Sequence, residues 1–338
     1  MTASITASTT DDLLHGGAID LMRQRFPDAP TPWIDLSTGI NPRPFPHADV
    51  STAAIAHLPT KAIMDACRHA MSDAINAPEE SIVLAPGSEL LIRILPSVLA
   101  LRTVSVLTPS YGDHARVWRM AGATLIETDD PLAYADRADA VVVCNPNNPD
   151  GRSFTQDDLD AARMRLASRN GWLIVDEAYA DLTPDLSLAN AGGKDGLIIL
   201  RSFGKFYGLA GLRLGAVLAP PAVRSSIATR LGVWPISGAA LEIGTRAYND
   251  NNWRNDARRK LQTMRTRLDR IFSNDNTEVV GGTDLFRFVR FKDAHAVWMR
   301  LAKQGVYVRR FDWSTHHLRF GLPYDKYSED RLSKALSL

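Results

Sequence analysis

The sequence predicts an α/β protein: a large domain with a mostly parallel sheet sandwiched by helices, a small α+β C-terminal domain, and an extended N-terminal arm. Three observations predict it. Apolar runs such as Ala140–Cys144, Trp172–Asp176 and Leu197–Arg201 are continuous, as in strands buried on both faces. Helical segments such as Gln156–Ser168 separate them, giving a βαβ rhythm. After about residue 275 the texture changes to alternation, with Leu, Phe, Arg, Phe, Val, Arg and Phe over Leu285–Phe291.

Taken in order, the first 60 residues carry Pro27, Pro30, Pro32, Pro42, Pro44, Pro46 and Pro59. Proline fixes φ and removes backbone donors, so this segment reads as an arm laid over other structure. From residue 62 the large domain begins. It holds a helix over Ala62–Ala77, a strand over Ser81–Ala85, a helix over Leu90–Leu101, and strands over Val104–Leu107 and Thr124–Glu127. The three buried strands above complete its sheet. Trp253–Phe272 reads as one arginine-rich helix linking two domains and solvated on most sides. Ala294–Gln304 is then a helix, with Val306–Arg309 and His317–Phe320 as short strands. The expected division is 1–60 for the arm, 61–250 for the large domain, and 251–338 for the linker helix and small domain.

Composition narrows the function classes. The chain has 338 residues, of which 45% are hydrophobic and 23% charged, so it can build a packed core. Its formal net charge of +1 argues against recruitment to nucleic acid or membrane by the overall field. Anions must be met by local clusters of charge. Two cysteines, Cys67 and Cys144, make neither a disulfide framework nor a cysteine-based zinc site, and reduced thiols are expected. No metal is expected. No apolar run approaches the roughly 18–20 residues that span a bilayer. Met1–Thr10 is small and polar, unlike a signal peptide. The expectation is a cytoplasmic protein.

In doubly wound sheets ligands sit at the carboxyl ends of strands, so the residues after each strand carry the chemistry. Pro86-Gly87-Ser88-Glu89 opens a helix, and helix-start amides suit a phosphate. Alone this is an ordinary loop and cap. Asn145-Pro146-Asn147-Asn148-Pro149-Asp150-Gly151 reads first as a proline-locked turn, although its amides could hold a hydroxyl or carboxylate. Asp176 ends an apolar strand and needs a partner, such as a protonated ring nitrogen. Lys205 lies in the glycine-rich stretch Arg201-Ser202-Phe203-Gly204-Lys205, followed by Gly208, Gly211, Arg213 and Gly215, where a lysine becomes a Schiff-base candidate.

Each motif alone is weak, but order and spacing make them specific. Asn148 to Asp176 is 28 residues, Asp176 to Tyr179 is 3, Ser202 to Lys205 is 3, and Lys205 to Arg213 is 8. With these spacings the chain resembles the pyridoxal-phosphate enzymes of the aspartate-aminotransferase fold, from Gly39-Ile40-Asn41-Pro42 to Leu318-Arg319-Phe320. The resemblance implies pyridoxal 5'-phosphate as cofactor, with Lys205 bonding it covalently and later moving protons. Asp176 would pair with the ring nitrogen, Asn148 and Tyr179 would bond the ring oxygen, and Tyr111 would stack on the ring. Gly87, Ser88, Glu89 (through its backbone), Ser202 and Arg213 would hold the phosphate, and Arg319 the substrate's α-carboxylate.

Within that fold, His15-Gly16-Gly17, Trp33–Pro42 and Arg319-Phe320-Gly321-Leu322-Pro323 are similar to the threonine-phosphate decarboxylases of cobalamin biosynthesis. This implies conversion of L-threonine O-3-phosphate to (R)-1-aminopropan-2-yl phosphate and CO2. His15, Gly16, Asn41, Asn148, Arg309 and Arg319 would then contact a small phosphorylated substrate, His316 and His317 lie nearby in sequence, and a homodimer is expected from the fold. There are departures: Leu58 stands where many relatives have a Tyr that reaches the partner's phosphate, and Asp150 stands where Thr is frequent. The alternatives are a histidinol-phosphate aminotransferase, a catalytically silent scaffold of the same fold, and a regulator binding nucleic acid through the basic helix.

Overall fold

The computed structural model describes residues 16–47, 49–273 and 277–337. Two compact units divide the chain: one joins the chain up to Pro42 with Lys260 onwards, and the other is Arg43–Arg259. The expected boundary near residue 60 therefore falls inside the second unit, and the one near 250 lies just before the observed division.

The first unit opens with α1 (Ile19–Arg25) and β1 (Ile34–Leu36). The proline-rich segment is thus not extended throughout, because it holds this helix and a second one further on. The second unit runs through α2 (Thr52–Ala56), α3 (Lys61–Ile75), β2 (Ile82–Ala85), α4 (Ser88–Leu99), β3 (Thr103–Leu107), α5 (Asp113–Met120), β4 (Thr124–Thr128) and β5 (Ala140–Cys144). It continues with α6 (Gln156–Ala167), β6 (Trp172–Asp176), β7 (Leu197–Ser202), β8 (Gly215–Leu218), α7 (Pro221–Leu231) and α8 (Gly238–Asn249). The division falls within α9 (Asn251–Ile271), after which come β9 (Glu278–Thr283), β10 (Phe286–Arg290), α10 (Ala294–Lys303), β11 (Val306–Phe311), β12 (Ser314–Gly321) and α11 (Lys326–Ser337).

The seven strands of the second unit lie in the order β2-β8-β7-β6-β5-β3-β4. All ladders are parallel except the two made by β8. The central strands are apolar because both faces are covered: all five residues of β5 are buried, and so are four of the five in β6. Leu91, Leu95, Val104, Trp118, Ile174, Ile198 and Val217 meet in one core, each side chain contributing roughly 1.5–3 kcal/mol by leaving water. Local signals set the helix starts. The Thr60 hydroxyl accepts from Ile63 N and caps α3, the Thr155 hydroxyl accepts from Asp158 N and caps α6, and Ser237 does the same for α8.

The expected strands and helices occur, most of them with ends within one or two residues. The sequence reading did not assign α1, α2, α5, α7, α8, α11, β1, β8 or β9. β8 is four residues long and follows a glycine-rich loop, and α7 has no marked apolar face.

In the first unit, five strands lie in the order β1-β11-β12-β10-β9. β1 pairs parallel to β11, which attaches the N-terminal segment to the C-terminal sheet as a strand. The Arg331 guanidinium ties α11 to the carbonyls of Pro30 and Pro32.

The arginine-rich helix is less solvated than expected. Arg254 is buried, Arg258 Nε donates to the Asp181 carbonyl at 2.7 Å, and Arg265 pairs with Asp269 and Asp284. Both cysteines are buried and free, and burial pushes the Cys67 thiol up to about 12. Among the described residues no helix is long and apolar enough to cross a membrane.

Candidate active site

The strand ends of the large sheet converge on one cavity. Gly87, Ser88, Glu89, Tyr111, Asn148, Asp176, Tyr179, Ser202, Lys205 and Arg213 all line it, so the ten residues expected around the cofactor are brought together. Ile92, Cys144, Ala178, Gly204, Ala210 and Leu214 complete the wall.

One end is built for an anion. Gly87 has φ 83°, and a Cβ there would lie 2.7 Å from Arg213 Nη2, so only glycine lets the guanidinium approach the start of α4. No side chain caps α4, which leaves its first amides directed towards that end. Arg213 itself is held at φ 54°, a left-handed conformation that costs a non-glycine residue roughly 1–3 kcal/mol. Ser202 ends β7 beside it.

Another part of the wall is built for a cation. Asp176 is 3% exposed, and its Oδ2 lies 2.9 Å from His114 Nε2, itself 2% exposed. Its Oδ1 accepts from Ala178 N at 3.1 Å. Sequence reasoning missed His114. The available signal was a histidine three residues after Tyr111, just past the end of a strand.

The aromatic wall is fixed by its hydroxyl. Tyr111 Oη lies 2.9 Å from Glu89 Oε2 and 3.2 Å from Asp113 Oδ2, while Arg93 Nη2 pairs with both carboxylates. Burial first, and then these two carboxylates, hold the Tyr111 phenol well above its usual range, so it stays neutral. The Glu89 side chain thus has a partner of its own, in addition to the backbone role expected for it.

The two asparagines after β5 are separated by their surroundings. Asn147 is fully buried: its amide donates to Pro109 O and Asp150 Oδ1, and its oxygen accepts from Ser110 Oγ. It builds the turn, whereas Asn148 faces the cavity. Asp150 also accepts from Arg152 N at 3.0 Å, which gives that residue a turn-holding job. Lys205 sits between Phe203, Phe206 and Tyr207, all buried, with the rings of Phe203 and Tyr207 stacked 4.3 Å apart. The lysine's neighbours are therefore anchored while its own side chain reaches the cavity.

These residues fit pyridoxal phosphate. The cradle that a Cβ at Gly87 would fill suits a phosphate, the buried carboxylate suits a protonated ring nitrogen, and a lysine lines the same cavity. Among the described residues, no group of three or more His, Cys, Asp or Glu could hold a metal ion.

The residues expected to contact the substrate belong to the first unit, apart from Asn148; His15 lies outside the described residues. Arg319 is 7% exposed, donates from Nη2 to Ser37 O at 2.8 Å, and lies over the Phe286 ring at 5.1 Å. Arg309 stands directly opposite Arg319 in the β11–β12 ladder, its guanidinium 5.7 Å from the Phe311 ring. A Cβ on Gly16 would lie 2.6 Å from Ser37 O, and the Ser37 hydroxyl donates to Asp35 Oδ1 at 2.6 Å. Ser37, not singled out in the sequence, thus links Gly16 to Arg319. Asn41 is buried. His317 stacks on Phe288 at 4.7 Å, and its Nδ1 lies 2.7 Å from Ser314 Oγ; His316 is exposed.

Residues 32–326 match the family described as aminotransferase class I and II. A threonine-phosphate decarboxylase of Sinorhizobium sp is 38% identical over 327 residues, which is 96% of this chain and 98% of that protein. The threonine-phosphate decarboxylase of Pseudomonas aeruginosa is 36% identical over 326 residues, 96% and 97% of the two chains. In fold, the chain is similar to a histidinol-phosphate aminotransferase of Sinorhizobium meliloti solved in complex with pyridoxal-5'-phosphate. The TM-score is 0.83 at 19% identity, with 99% of this chain and 97% of that one covered. With its motifs gathered at one cavity and matched across nearly its whole length, the chain belongs to the class I and II aminotransferase family of pyridoxal-phosphate enzymes.

Proposed function

We propose that this protein decarboxylates L-threonine O-3-phosphate to (R)-1-aminopropan-2-yl phosphate and CO2, a step of cobalamin biosynthesis carried out in the cytoplasm. The likeness to two threonine-phosphate decarboxylases over almost the full chain carries this reading.

Bound pyridoxal phosphate supplies an electron sink for the pair left behind when a bond at the substrate's Cα breaks. The chain's own residues do the rest. Arg213, Ser202 and the amides that open α4 would hold the cofactor's phosphate, and Asp176 would pair with its protonated ring nitrogen. His114 holds Asp176 in place through the 2.9 Å contact between Nε2 and Oδ2. Tyr111 would pack against the ring, its hydroxyl held by Glu89 and Asp113. Asn148 and Tyr179 would bond the ring oxygen. Lys205 would hold the cofactor through its amine and, with that amine free, would carry a proton at Nζ for delivery to Cα.

Substrate recognition falls to Arg319 and Arg309, with Gly16, Asn41 and His15. Arg319 takes the α-carboxylate with its planar fork, held by Ser37 and by the Phe286 ring. Orientation of that carboxylate decides which Cα bond breaks.

The working form is a homodimer. Ile55 and Leu58 are exposed at 74% and 63%, and Val233 and Trp234 at 68% and 56%. These segments are near one another, because Gly238 packs against the Ala54 carbonyl. An apolar surface of this kind suits burial against a second copy. Leu58 then brings an apolar contact where many relatives bring a Tyr.

The test is to incubate pure protein and pyridoxal phosphate with threonine phosphate and measure CO2. Stoichiometric CO2 and amine phosphate are expected. Turnover of histidinol phosphate with 2-oxoglutarate, and no CO2, would overturn the proposal in favour of an aminotransferase.

A further inference from the structure

We propose that Arg201 is a positioning residue for the cofactor cavity, setting the distance between the strand end that carries Ser202 and Lys205 and the loop that carries Asp176 and Tyr179. The inference rests on the reading that pyridoxal phosphate occupies this cavity.

Arg201 does not line the cavity. It precedes Ser202 on β7, and neighbouring residues of a strand point to opposite faces. Its side chain is 4% exposed and spans two carboxylates: Nη1 donates to Glu177 Oε2 at 2.8 Å, and Nη2 to Asp181 Oδ1 at 2.8 Å. Glu177 follows Asp176 directly, and Tyr179 lies midway between Glu177 and Asp181. The fork therefore grips the loop on both sides of the residue expected at the ring oxygen.

The backbone does not do this alone. The β6–β7 ladder ends at Asp176 opposite Leu200, with a last bond from Glu177 N to Leu200 O at 2.9 Å. Arg201 takes over where the ladder stops. Its partners are themselves fixed: Glu177 also accepts from Ser187 Oγ at 2.6 Å and Leu188 N at 2.7 Å, and the Asp181 carbonyl accepts from Arg258 Nε at 2.7 Å.

Stability alone is a weak reason for such a cluster. Replacing a buried ion pair by neutral groups of similar volume is often neutral or stabilising. What a guanidinium adds is geometry, since a rigid planar fork holds two acceptors at a set separation and a lysine ammonium does not.

Two variants test this, each loaded with pyridoxal phosphate: Arg201→Lys, and the uncharged triple variant Arg201→Met/Glu177→Gln/Asp181→Asn. Three quantities are read: the melting temperature without cofactor, the rate of cofactor loss on dilution, and the pH titration of the visible cofactor band. Both variants are expected to fold, to lose cofactor about tenfold faster or more, as expected for the loss of charge-assisted hydrogen bonds, and to show a displaced titration. Arg201→Lys is expected not to rescue. Cofactor loss within about twofold of the parent, with an unchanged titration, would overturn the proposal, because hydrogen bonds of this strength change rates more than that. If neither variant folds, Arg201 is a stability element and the proposal falls. If the parent itself shows no visible band with pyridoxal phosphate, the cofactor reading falls with it; a band in the parent and unchanged variants sink only the role of Arg201.

Discussion

His114 Nε2 lies 2.9 Å from Asp176 Oδ2, and both side chains are almost entirely shielded from water. The contact joins the first turn of α5 to the end of β6, two elements 62 residues apart in the chain. A buried carboxylate with one oxygen on an imidazole and the other on a backbone amide has a single orientation. His114→Phe, which fills the space but removes the bond, is expected to lower kcat by about 10- to 100-fold, the range for a lost hydrogen bond to a charged group. Its pH–rate profile should shift as well, and a profile unchanged from the parent would separate this residue from the chemistry.

Lys205→Ala removes the amine that lines the cavity. Purified with pyridoxal phosphate, it is expected to lack the visible band of covalently held cofactor and to lose activity by roughly 10³-fold or more. Absorption spectroscopy and single-turnover CO2 release check the two effects separately.

Gly87→Ala puts a Cβ 2.7 Å from Arg213 Nη2 at a residue with φ 83°. Because the clash falls on the phosphate end, cofactor affinity is expected to fall by about tenfold or more, with a stability loss of roughly 1–3 kcal/mol. Titration of apoenzyme with pyridoxal phosphate, alongside a melting curve, measures both.

Arg319→Lys keeps the charge but not the fork that holds Ser37 O. A KM for threonine phosphate at least about tenfold higher is expected, with cofactor affinity unchanged. Loss of cofactor in this variant would contradict the assignment of Arg319 to the substrate.

His317 has a proton affinity lowered from the ordinary 6.5, chiefly by burial and then by Arg290. The folded protein therefore binds this proton less tightly than the unfolded chain does. The associated stability is present above about pH 6.5 and is lost as pH falls through the lower folded value. His317→Phe keeps the stack on Phe288 and is expected to flatten the acid side of the melting temperature against pH. An acid limb as steep as the parent's would contradict this origin.

The large sheet was legible because its strands are continuous apolar runs with chemistry-bearing residues at their ends. Asp176 and Lys205 could be found from such ends and their spacings. His114 and Arg201 could not, since each acts through a partner distant in sequence and pattern-based reading sees only near neighbours. The division between Asn147 and Asn148 was likewise hidden: adjacent identical residues differ only in what packs around them. The arginines of α9 misled for the same reason. Charge reads as solvent exposure until Arg254 is found buried and Arg258 bonded to the Asp181 carbonyl.

The most direct measurement runs the reaction on threonine phosphate in D2O and follows the product by NMR. If the protein is a decarboxylase, CO2 leaves and Cα takes up a single deuteron, giving (R)-1-aminopropan-2-yl phosphate with one deuteron on the amine-bearing carbon and the nitrogen retained. Substrate recovered with deuterium at Cα and its carboxylate intact, or an amino group transferred to 2-oxoglutarate, would contradict that claim.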